Sequence, residues 1–321
     1  MRDVLYGALR KIRDHIICEL RISDYFDRNR SKNRFTMLIA DKWQDYSVIA
    51  TGNGYKLERW GDIKLLRPDP QVIWKTDKDL SSYDIDARYI RSSSGGGEWE
   101  ILKKLPESWV ISYGQLKFRI KPMGFKHTGL FPEQAANWEK MSALIKNAGR
   151  PISVLNLFAY TGGATCACLN AGASVCHVDA AKGMVERAGE NVALSGLQDK
   201  PVRYIVDDCV KFVKREIRRG RRYDAVIMDP PSYGRGPNGE TWKIEDQLFD
   251  LVSLCSEVLS DDPLFFLINS YTTGLQPQVL NNILTLTVAK GRSRVEAYEV
   301  GLPTEEGIVL PCGAGGMFIN E

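Results

Sequence analysis

Residues 153–163 read SVLNLFAYTGG, a largely apolar run that breaks into a turn containing Gly162 and Gly163. Residues 154–158 have strand-forming character, and the small residues 164–172 favour a helix. A strand, a glycine-bearing turn and a helix open a nucleotide-binding β-α-β unit. Glycine in such a turn lets the backbone approach a ligand where a Cβ would intrude. This stretch therefore predicts the start of a Rossmann-like α/β domain.

The pattern of strand and helix repeats beyond this unit. We predict strands at residues 174–178, 202–206, 223–228 and 264–270, and closing strands at 295–300 and 307–311. Helices are predicted at residues 182–195, 209–219, 244–259 and 277–289. Strands that alternate with helices predict a doubly wound, mostly parallel sheet.

Polar residues follow four consecutive strands of this sheet, where ligands of such folds bind. Asp179 ends the second strand, and its carboxylate suits the hydroxyls of a ribose. Asp208 follows the third strand, and with the apolar Cys209 it suits an adenine amino group. Asp229-Pro230-Pro231 follows the fourth strand, where the prolines stiffen the loop, and Tyr233 offers a ring for base stacking.

Composition excludes several other classes of protein. The chain has 321 residues, 44% hydrophobic and 26% charged, which suits two domains or one large domain with an appendage. Its longest apolar run, residues 264–268, is far short of the ~20 residues of a membrane span. The seven cysteines lack metal-type spacing, so we expect reduced thiols, no bound metal and a cytoplasmic location.

Three regions are predicted along the chain. Residues 1–36 carry nine Lys/Arg and five Asp/Glu and form a basic helical extension. A peripheral helix or an RNA-contacting arm would explain it, and Met37 is an alternative start of the native protein. Residues 37–124 form a small β-rich domain that ends in a hairpin around Gly114, and residues 125–321 form the catalytic domain.

The assembled motifs resemble class I S-adenosylmethionine-dependent methyltransferases, and more narrowly an uncharacterised branch of the bacterial I/K-type large-subunit rRNA methyltransferases. The matching stretches are FKHTGLFPEQAANW (125–138), LNLFAYTGGAT (155–165), HVDAAKGMVERAGENVALSGL (177–197), IVDDC (205–209), DPPSYGRG (229–236) and SYTTGL (270–275). The resemblance implies a seven-stranded Rossmann-like methyltransferase sheet with S-adenosylmethionine as cofactor.

The resemblance also implies roles for individual residues. It implies that Tyr160, Thr161 and Gly162 contact the methionine end of the cofactor, and that Phe158 and Ala159 just before them also bind the cofactor. Asp179 with Ala180 would hold the ribose, and Asp208 with Cys209 the adenine. Thr128, Phe131 and Gln134 would close over the cofactor, and Asp229 would adjoin it at the acceptor side.

Two departures from the family pattern bear on the chemistry. Relatives that methylate cytosine C5 use a cysteine in the loop after the fifth strand, and residues 269–273 here are Asn-Ser-Tyr-Thr-Thr. C5 chemistry through a covalent adduct is therefore disfavoured, with Cys312 as the one remote alternative nucleophile. The terminal segment 315–321, GGMFINE, departs from the family pattern and puts the last strand in doubt.

We therefore predict methylation of an RNA base, with a nitrogen acceptor favoured. Asp229 and the Pro230 carbonyl would orient the acceptor, and Tyr233 would stack on it. The chain could instead modify a protein or a small metabolite, or be an inactive RNA-binding module. A nicotinamide oxidoreductase would need a G-x-G-x-x-G loop, whose spacing residues 160–165 lack.

Two features leave the partners open. The basic residues between Lys211 and Arg222 predict either a solvated helix face or a contact with RNA phosphates. A homodimer is also possible.

Overall fold

The computed structural model describes residues 36–92, 96–235, 241–289 and 294–320. The strands of the first part are β1 (Thr36–Ile39), β2 (Tyr46–Gly52), β3 (Tyr55–Trp60), β4 (Ile63–Pro68), β5 (Ala87–Arg91), β6 (Gly97–Ile101), β7 (Trp109–Tyr113) and β8 (Leu116–Ile120). Those of the second part are β9 (Ser153–Leu157), β10 (Ser174–Asp179), β11 (Val202–Val206), β12 (Ala225–Met228), β13 (Tyr233–Arg235), β14 (Thr241–Lys243), β15 (Phe265–Ser270), β16 (Arg294–Pro303) and β17 (Val309–Ile319).

The helices are α1 (Ala135–Asn147), α2 (Gly163–Asn170), α3 (Lys182–Leu194), α4 (Cys209–Arg218), α5 (Ile244–Ser256) and α6 (Pro277–Leu284). Short 3₁₀ turns occur at Leu80–Ser82, Gly124–Lys126 and Pro132–Gln134. The helix predicted at 277–289 ends its α-helical part at Leu284 and continues as a π-helical turn over Thr285–Ala289.

The main sheet has the order β1-β16-β17-β15-β12-β9-β10-β11. Strands β9, β10, β11, β12 and β15 run parallel, whereas β17 pairs antiparallel with both β15 and β16. The predicted doubly wound, mostly parallel sheet is confirmed. It contains eight strands in the described part of the chain rather than seven, because β1 joins its edge beside β16.

The central strands are buried on both faces. On β9, Val154 packs into one apolar cluster and Leu155 into a second one on the opposite face. Helices α1 and α2 cover the first face, and α4, α5 and α6 cover the second; their buried side chains include Trp138, Cys166, Phe212, Leu251 and Leu280. Two apolar layers explain why these strands appear in the sequence as short continuous apolar runs.

The last strand differs from the prediction. β17 begins at Val309, continues to Ile319 and lies inside the sheet, between β15 and β16. Its glycines allow close packing there: a Cβ at Gly315 would lie 2.4 Å from the Tyr298 ring, and one at Gly316 would lie 2.8 Å from Leu280. Residues 315–319 of the terminal sequence that departs from the family pattern therefore belong to a strand inside the sheet.

The region before α1 is rich in strands, as predicted. β2 to β6 form a five-stranded sheet, and β7 and β8 form a hairpin around Gly114, whose φ is 57°. One apolar cluster includes Trp60 and Phe118 from these strands together with Val154 of the main sheet. The domain boundary between residues 124 and 125 thus remains a prediction.

The chain divides into two units, residues 1–36 and 37–321. The predicted helical extension at 1–36 and the alternative start at Met37 concern a segment that lies, except for Thr36, outside the described residues.

Candidate active site

The carboxyl ends of four neighbouring parallel strands meet at one edge of the main sheet. β12, β9, β10 and β11 are adjacent in that order and carry Asp229, the loop 158–162, Asp179 and Asp208 at these ends. Residues that are distant in sequence thus lie along one rim, as the strand pattern predicts.

The loop after β9 has an unusual backbone. Phe158 and Tyr160 have φ values of 53° and 50°, and Gly162 has 83°. Left-handed conformations are costly for residues with a Cβ, and they persist where surrounding contacts hold them. Two of these contacts come from β10: the Ala159 N–H donates to Val178 O over 3.1 Å, and the Tyr160 N–H donates to the Asp179 carboxylate over 2.9 Å.

The two glycines of this loop are required by packing within the protein. A Cβ at Gly162 would lie 2.8 Å from the Cβ of Ala188 on α3, and one at Gly163 would lie 2.6 Å from the Trp138 ring. The sequence analysis attributed the glycines to close approach of a ligand. The structure shows that close approach of helices α3 and α1 also requires them, and contact with a ligand stays a prediction.

Asp179 and Asp208 both accept backbone hydrogen bonds. Besides the Tyr160 amide, Asp179 accepts the N–H of Ala181 over 2.8 Å, so its carboxylate joins the loop after β9 to the turn that follows β10. Asp208 caps α4 by accepting the Lys211 N–H over 2.8 Å. Each carboxylate keeps further lone pairs for a ligand.

Cys209 lies between these elements. Its thiol is buried, and the Phe158 N–H points at its sulfur over 3.4 Å. Cys209 therefore joins the start of α4 to the loop after β9, at the position predicted for adenine.

The segment 125–138 lies against the same loop. The Thr161 hydroxyl donates to Gly129 O over 2.6 Å, and the rings of Phe131 and Tyr160 have centroids 5.5 Å apart. Thr128 is 1% exposed, and its hydroxyl oxygen has no hydrogen-bond partner in the described part of the protein. A buried hydroxyl without a partner beside the rim fits a site that receives a polar ligand.

Gln134 belongs to a buried polar network that the sequence analysis did not foresee. Its Nε2 donates to the Tyr271 hydroxyl over 2.6 Å, and its Oε1 accepts from Asn137 Nδ2 over 2.9 Å. Asn137 Nδ2 also donates to Asn269 Oδ1 over 3.0 Å, and the Tyr298 hydroxyl donates to Asn137 Oδ1 over 2.8 Å. Asn269, a polar residue inside the apolar strand predicted at 264–270, is a sequence signal for this network.

A second missed group lies behind the glycine turn. Thr165 accepts from Asn156 Nδ2 over 3.0 Å, and its hydroxyl lies 2.9 Å from His177 Nδ1. Burial lowers the pKa of His177 to about 4, so the imidazole is neutral at physiological pH. His177 is therefore a buried hydrogen-bonding group of the sheet.

The acceptor side of the rim carries Asp229. Burial, followed by the nearby Glu133 carboxyl, raises the pKa of Asp229 to about 7. Side chains that line the same space as Asp229 are Phe131, Gln134, Phe158, Tyr160 and Asn269. Asp229 is thus positioned to exchange a proton near neutral pH, next to the loop predicted to hold the methionine end.

The residues after Asp229 form a hairpin. Pro230 is buried, and the Trp242 indole N–H donates to Pro231 O over 2.6 Å. The hydroxyls of Ser232 and Thr272 lie 2.6 Å apart and join the hairpin to the loop after β15. Tyr233 is 51% exposed, so it lies at the outer margin of the site rather than in its interior.

Cys312 is not arranged as a nucleophile. Burial, with the negative charge of Glu133, holds the pKa of its thiol well above the usual range. The thiolate is the reactive form of cysteine, so this environment disfavours attack on a base. Within the described ranges, no three His, Cys, Asp or Glu side chains are grouped as metal ligands.

The basic helix α4 is partly neutralised by acidic neighbours. Arg215 pairs with Asp207, and Arg219 pairs with Glu216 over 3.1 Å. Lys211, Lys214 and Arg218 are exposed along the helix, and contact of this face with RNA remains a prediction. No helix in the described part of the chain is long and apolar enough to cross a membrane.

The fold is that of the class I methyltransferases. Its main sheet is mostly parallel with β17 inserted antiparallel, a glycine turn follows β9, and acidic residues stand at the ends of the next strands. A family model described as S-adenosylmethionine-dependent methyltransferase matches residues 65–269. The chain belongs to this family and is an S-adenosylmethionine-dependent enzyme, which confirms the predicted cofactor and enzyme class.

A solved S-adenosylmethionine-dependent methyltransferase from Agrobacterium tumefaciens is similar over nearly the whole chain. It is 33% identical, the match covers 89% of this chain and 94% of the other, and the TM-score is 0.83. That similarity includes the β-rich region as well as the main sheet.

Curated relatives include two bacterial proteins named ribosomal RNA large subunit methyltransferase K/L. The one from Colwellia psychrerythraea is 27% identical over 50% of this chain and 22% of its own length. The one from Shewanella frigidimarina is 27% identical over 68% of this chain and 29% of its own length. These matches confirm the predicted resemblance, and the chain spans less than a third of the length of either relative.

Proposed function

We propose that this enzyme transfers a methyl group to a nitrogen of an RNA base, with ribosomal RNA as the favoured substrate. The observation that carries the proposal is the position of Asp229, which lines one space with the loop after β9. Its raised pKa of about 7 also suits it to accept a proton from an amine. The names of the curated relatives support RNA as the substrate class.

The chemistry requires the protein to align two groups and remove one proton. S-adenosylmethionine supplies an electrophilic methyl carbon on a sulfonium. As the new N–C bond forms, the C–S bond breaks and its electron pair returns to sulfur. The attacking nitrogen gives up one N–H proton, which Asp229 accepts. Pro230 would orient the second N–H through its carbonyl, and Tyr233 would stack on the base at the entrance.

The cofactor contacts belong to the same proposal. The loop 158–162 would hold the methionine end, Asp179 and Ala180 the ribose, and Asp208 and Cys209 the adenine. The backbone hydrogen bonds that Asp179 accepts support its role, since they hold its carboxylate in one orientation at the rim. Thr128, Phe131 and Gln134 would cover the cofactor, and Phe131 and Gln134 line the same space as Asp229.

A cytoplasmic location and a homodimer are also proposed. The six described cysteines are free thiols, which supports the cytoplasmic location. Light scattering on the purified protein tests for the homodimer.

Transfer of tritiated methyl groups to total RNA from a strain that lacks the gene tests the function. The expected result is label in RNA with the wild type and none with Asp229→Asn. The control is Asp199→Asn, which changes an exposed acid in the turn before β11 and should leave labelling unchanged. Digestion to nucleosides and mass spectrometry then identify the base.

The same reaction distinguishes the alternative acceptors. Label in a protein or a small-molecule fraction, with unlabelled RNA, would replace RNA by that substrate class. Binding of S-adenosylmethionine without transfer to any fraction would favour an inactive RNA-binding module.

A further inference from the structure

Asn269 is a buried amide beside Asp229 that the proposed catalytic and cofactor contacts do not use. It lies near the end of β15 and is 4% exposed. Strands β12 and β15 pair in parallel, with Met228 beside Ile268. Asp229 and Asn269 come directly after this pair, so they are neighbours at the same edge of the sheet. Both residues line one space with the loop after β9.

The order of the strands places this pair at the acceptor side of the site. Along the rim, β11 carries the residues proposed for adenine, β10 those for the ribose and β9 the loop for the methionine end, and β12 and β15 follow. A cofactor that lies along β11, β10 and β9 in this order brings its methyl group toward β12. The side chains at the ends of β12 and β15 are then available to the acceptor.

A buried chain of hydrogen bonds fixes the orientation of the Asn269 amide. The Tyr298 hydroxyl donates to Asn137 Oδ1 over 2.8 Å, so the Nδ2 of Asn137 points away from Tyr298. That Nδ2 donates to Gln134 Oε1 over 2.9 Å and to Asn269 Oδ1 over 3.0 Å. An amide nitrogen has two N–H donors, and both donors of Asn137 are thereby used.

The amide nitrogen of Asn269 is consequently left for a ligand. Within the described ranges its Nδ2 has no hydrogen-bond partner, although the side chain is buried. Buried donors are nearly always paired, so an open donor in a concave site indicates an acceptor atom on a ligand. The neighbouring Asp229 offers carboxyl oxygens as acceptors. The two side chains thus present one donor and one acceptor next to each other.

Base edges differ in how well they match such a pair. An exocyclic amine donates, and the unprotonated ring nitrogen next to it accepts. This combination occurs at N6 and N1 of adenine, at N4 and N3 of cytosine, and at N2 and N3 of guanine. Uracil has no amine, and its edge has a carbonyl oxygen on each side of an N–H group. An edge that carries an amine therefore satisfies both side chains, and the edge of uracil does not.

We propose that Asn269 is a specificity-determining residue, whose amide N–H donates to the ring nitrogen beside the exocyclic amine that Asp229 holds. The methylated atom is then that amine, and uracil is excluded as the acceptor. This inference rests on the proposed function, which assigns Asp229 to the acceptor. A site built to hydrogen-bond a polar group of its substrate rejects an analogue that lacks this group.

The first test follows the side-chain amide of Asn269 by ¹⁵N NMR in the full chain saturated with S-adenosylhomocysteine. Its resonance is assigned by its absence in Asn269→Asp. Adenosine, cytidine, guanosine and uridine are titrated separately. We expect at least one of the three amino nucleosides to shift this resonance and uridine to leave it unchanged, which also identifies the base. A comparable shift with uridine, or no shift with any nucleoside, would overturn the inference.

The second test removes only the ring nitrogen of the base. The matched probe is the analogue of the bound nucleoside with C–H in place of that nitrogen: 1-deazaadenosine, 3-deazacytidine or 3-deazaguanosine. Isothermal titration of the wild type should give the analogue a Kd at least about tenfold higher than that of the parent nucleoside. Equal Kd values for parent and analogue in the wild type would overturn the inference.

Asn269→Asp separates recognition of the base from a structural role. Its carboxylate still accepts from Asn137 Nδ2 but donates no hydrogen bond, so the analogue should bind this variant at least as tightly as the parent nucleoside does. The Kd of S-adenosylhomocysteine should stay unchanged. A structural role would weaken parent and analogue by the same factor, and an unchanged ratio between them would overturn the inference.

The nucleoside titrations keep this inference separate from the proposed function. The wild-type comparison of parent and analogue needs no variant, and Asn269→Ser assigns the resonance if Asn269→Asp does not fold. Unlabelled RNA together with the expected nucleoside results would reject RNA as the substrate and support the reading of the amine edge. RNA labelled at a ring nitrogen would support the proposed function and overturn this inference.

Discussion

Asp179, the last residue of β10, accepts the backbone N–H of Tyr160 over 2.9 Å and so holds the loop after β9 in a left-handed conformation. The carboxylate that is proposed to hold the cofactor ribose therefore also orders the loop proposed to hold its methionine end. A single side chain therefore couples the two halves of the proposed cofactor site.

This coupling predicts a large effect of Asp179→Asn on cofactor binding. The amide has one carbonyl oxygen in place of two carboxylate oxygens, so it cannot accept both backbone N–H groups in the same way. Loss of a hydrogen bond to a charged group costs about 1.5–3 kcal/mol, or roughly 10- to 150-fold in Kd. Isothermal titration with S-adenosylmethionine measures the change. Asp199→Asn is the control, and an unchanged Kd in Asp179→Asn would remove Asp179 from the site.

Gly162→Ala should destabilise the protein more than Gly196→Ala. Both glycines have positive φ, 83° and 69°, so alanine costs about 1–2 kcal/mol at either position. At Gly162 the new Cβ also meets Ala188 at 2.8 Å, whereas nothing lies within 4 Å at Gly196. This overpacking at Gly162 should add about 1–3 kcal/mol to the loss of stability.

Urea denaturation measures the free energy of unfolding of both glycine variants. Ala188→Gly in the Gly162→Ala background should recover part of the loss. Equal effects of the two glycine substitutions would contradict the packing explanation.

Asp229→Asn should be more stable than the wild type at pH 8 and similar to it at pH 4. The pKa of Asp229 is raised from 3.8 to about 7 in the folded protein, so the native state holds a proton that the unfolded state has released. Wild-type stability attributable to this group therefore falls as pH rises from about 4 to about 7. The full shift corresponds to about 4 kcal/mol, and partial exposure of the carboxyl reduces the expected gain to about 2 kcal/mol.

Urea titrations of Asp229→Asn and wild type at both pH values measure this gain. Glu133→Gln should show a gain of the same sign, because burial also raises the pKa of that carboxyl. A pH-independent difference between Asp229→Asn and wild type would count against a raised pKa.

Tyr298→Phe should lower the stability of the folded protein more than Tyr113→Phe does. The Tyr298 hydroxyl donates to Asn137 Oδ1, which is fully buried, so its loss leaves an unsatisfied acceptor and costs about 1–3 kcal/mol. Tyr113 donates to Glu139, whose side chain is 38% exposed and can bond water instead. Thermal unfolding of the two variants measures both losses of stability. Equal losses would show that the buried network around Asn137 adds no stability of its own.

The sequence was most informative where structure is local. Strand β11 was predicted at its observed bounds, and β10 and β12 were predicted with their terminal acids, because a buried strand and the turn after it have a short-range pattern. Asp179, Asp208 and Asp229 followed from the rule that parallel strands end at one edge. Tyr233 was predicted by adjacency alone; its side chain is half exposed, and its stacking role stays a prediction.

Glu133, Asn137, Asn269 and Tyr271 were not predicted as a group. Gln134 and Tyr271 are separated by 137 positions, and the Asn137–Asn269 contact by 132. Such pairs carry no short-range pattern, and without their partners buried polar residues resemble ordinary surface residues.

The amino-acid sequence by itself determined the order of strands and helices, the glycine turn after β9 and the acids at the strand ends. These features depend on burial periodicity and backbone preference over a few residues. Only the tertiary structure decided that β17 enters between β15 and β16, and that Gly162 and Gly163 serve helix packing. It also decided that Gln134 and Tyr271 meet in a hydrogen bond, because such contacts depend on groups that the fold brings together from distant positions.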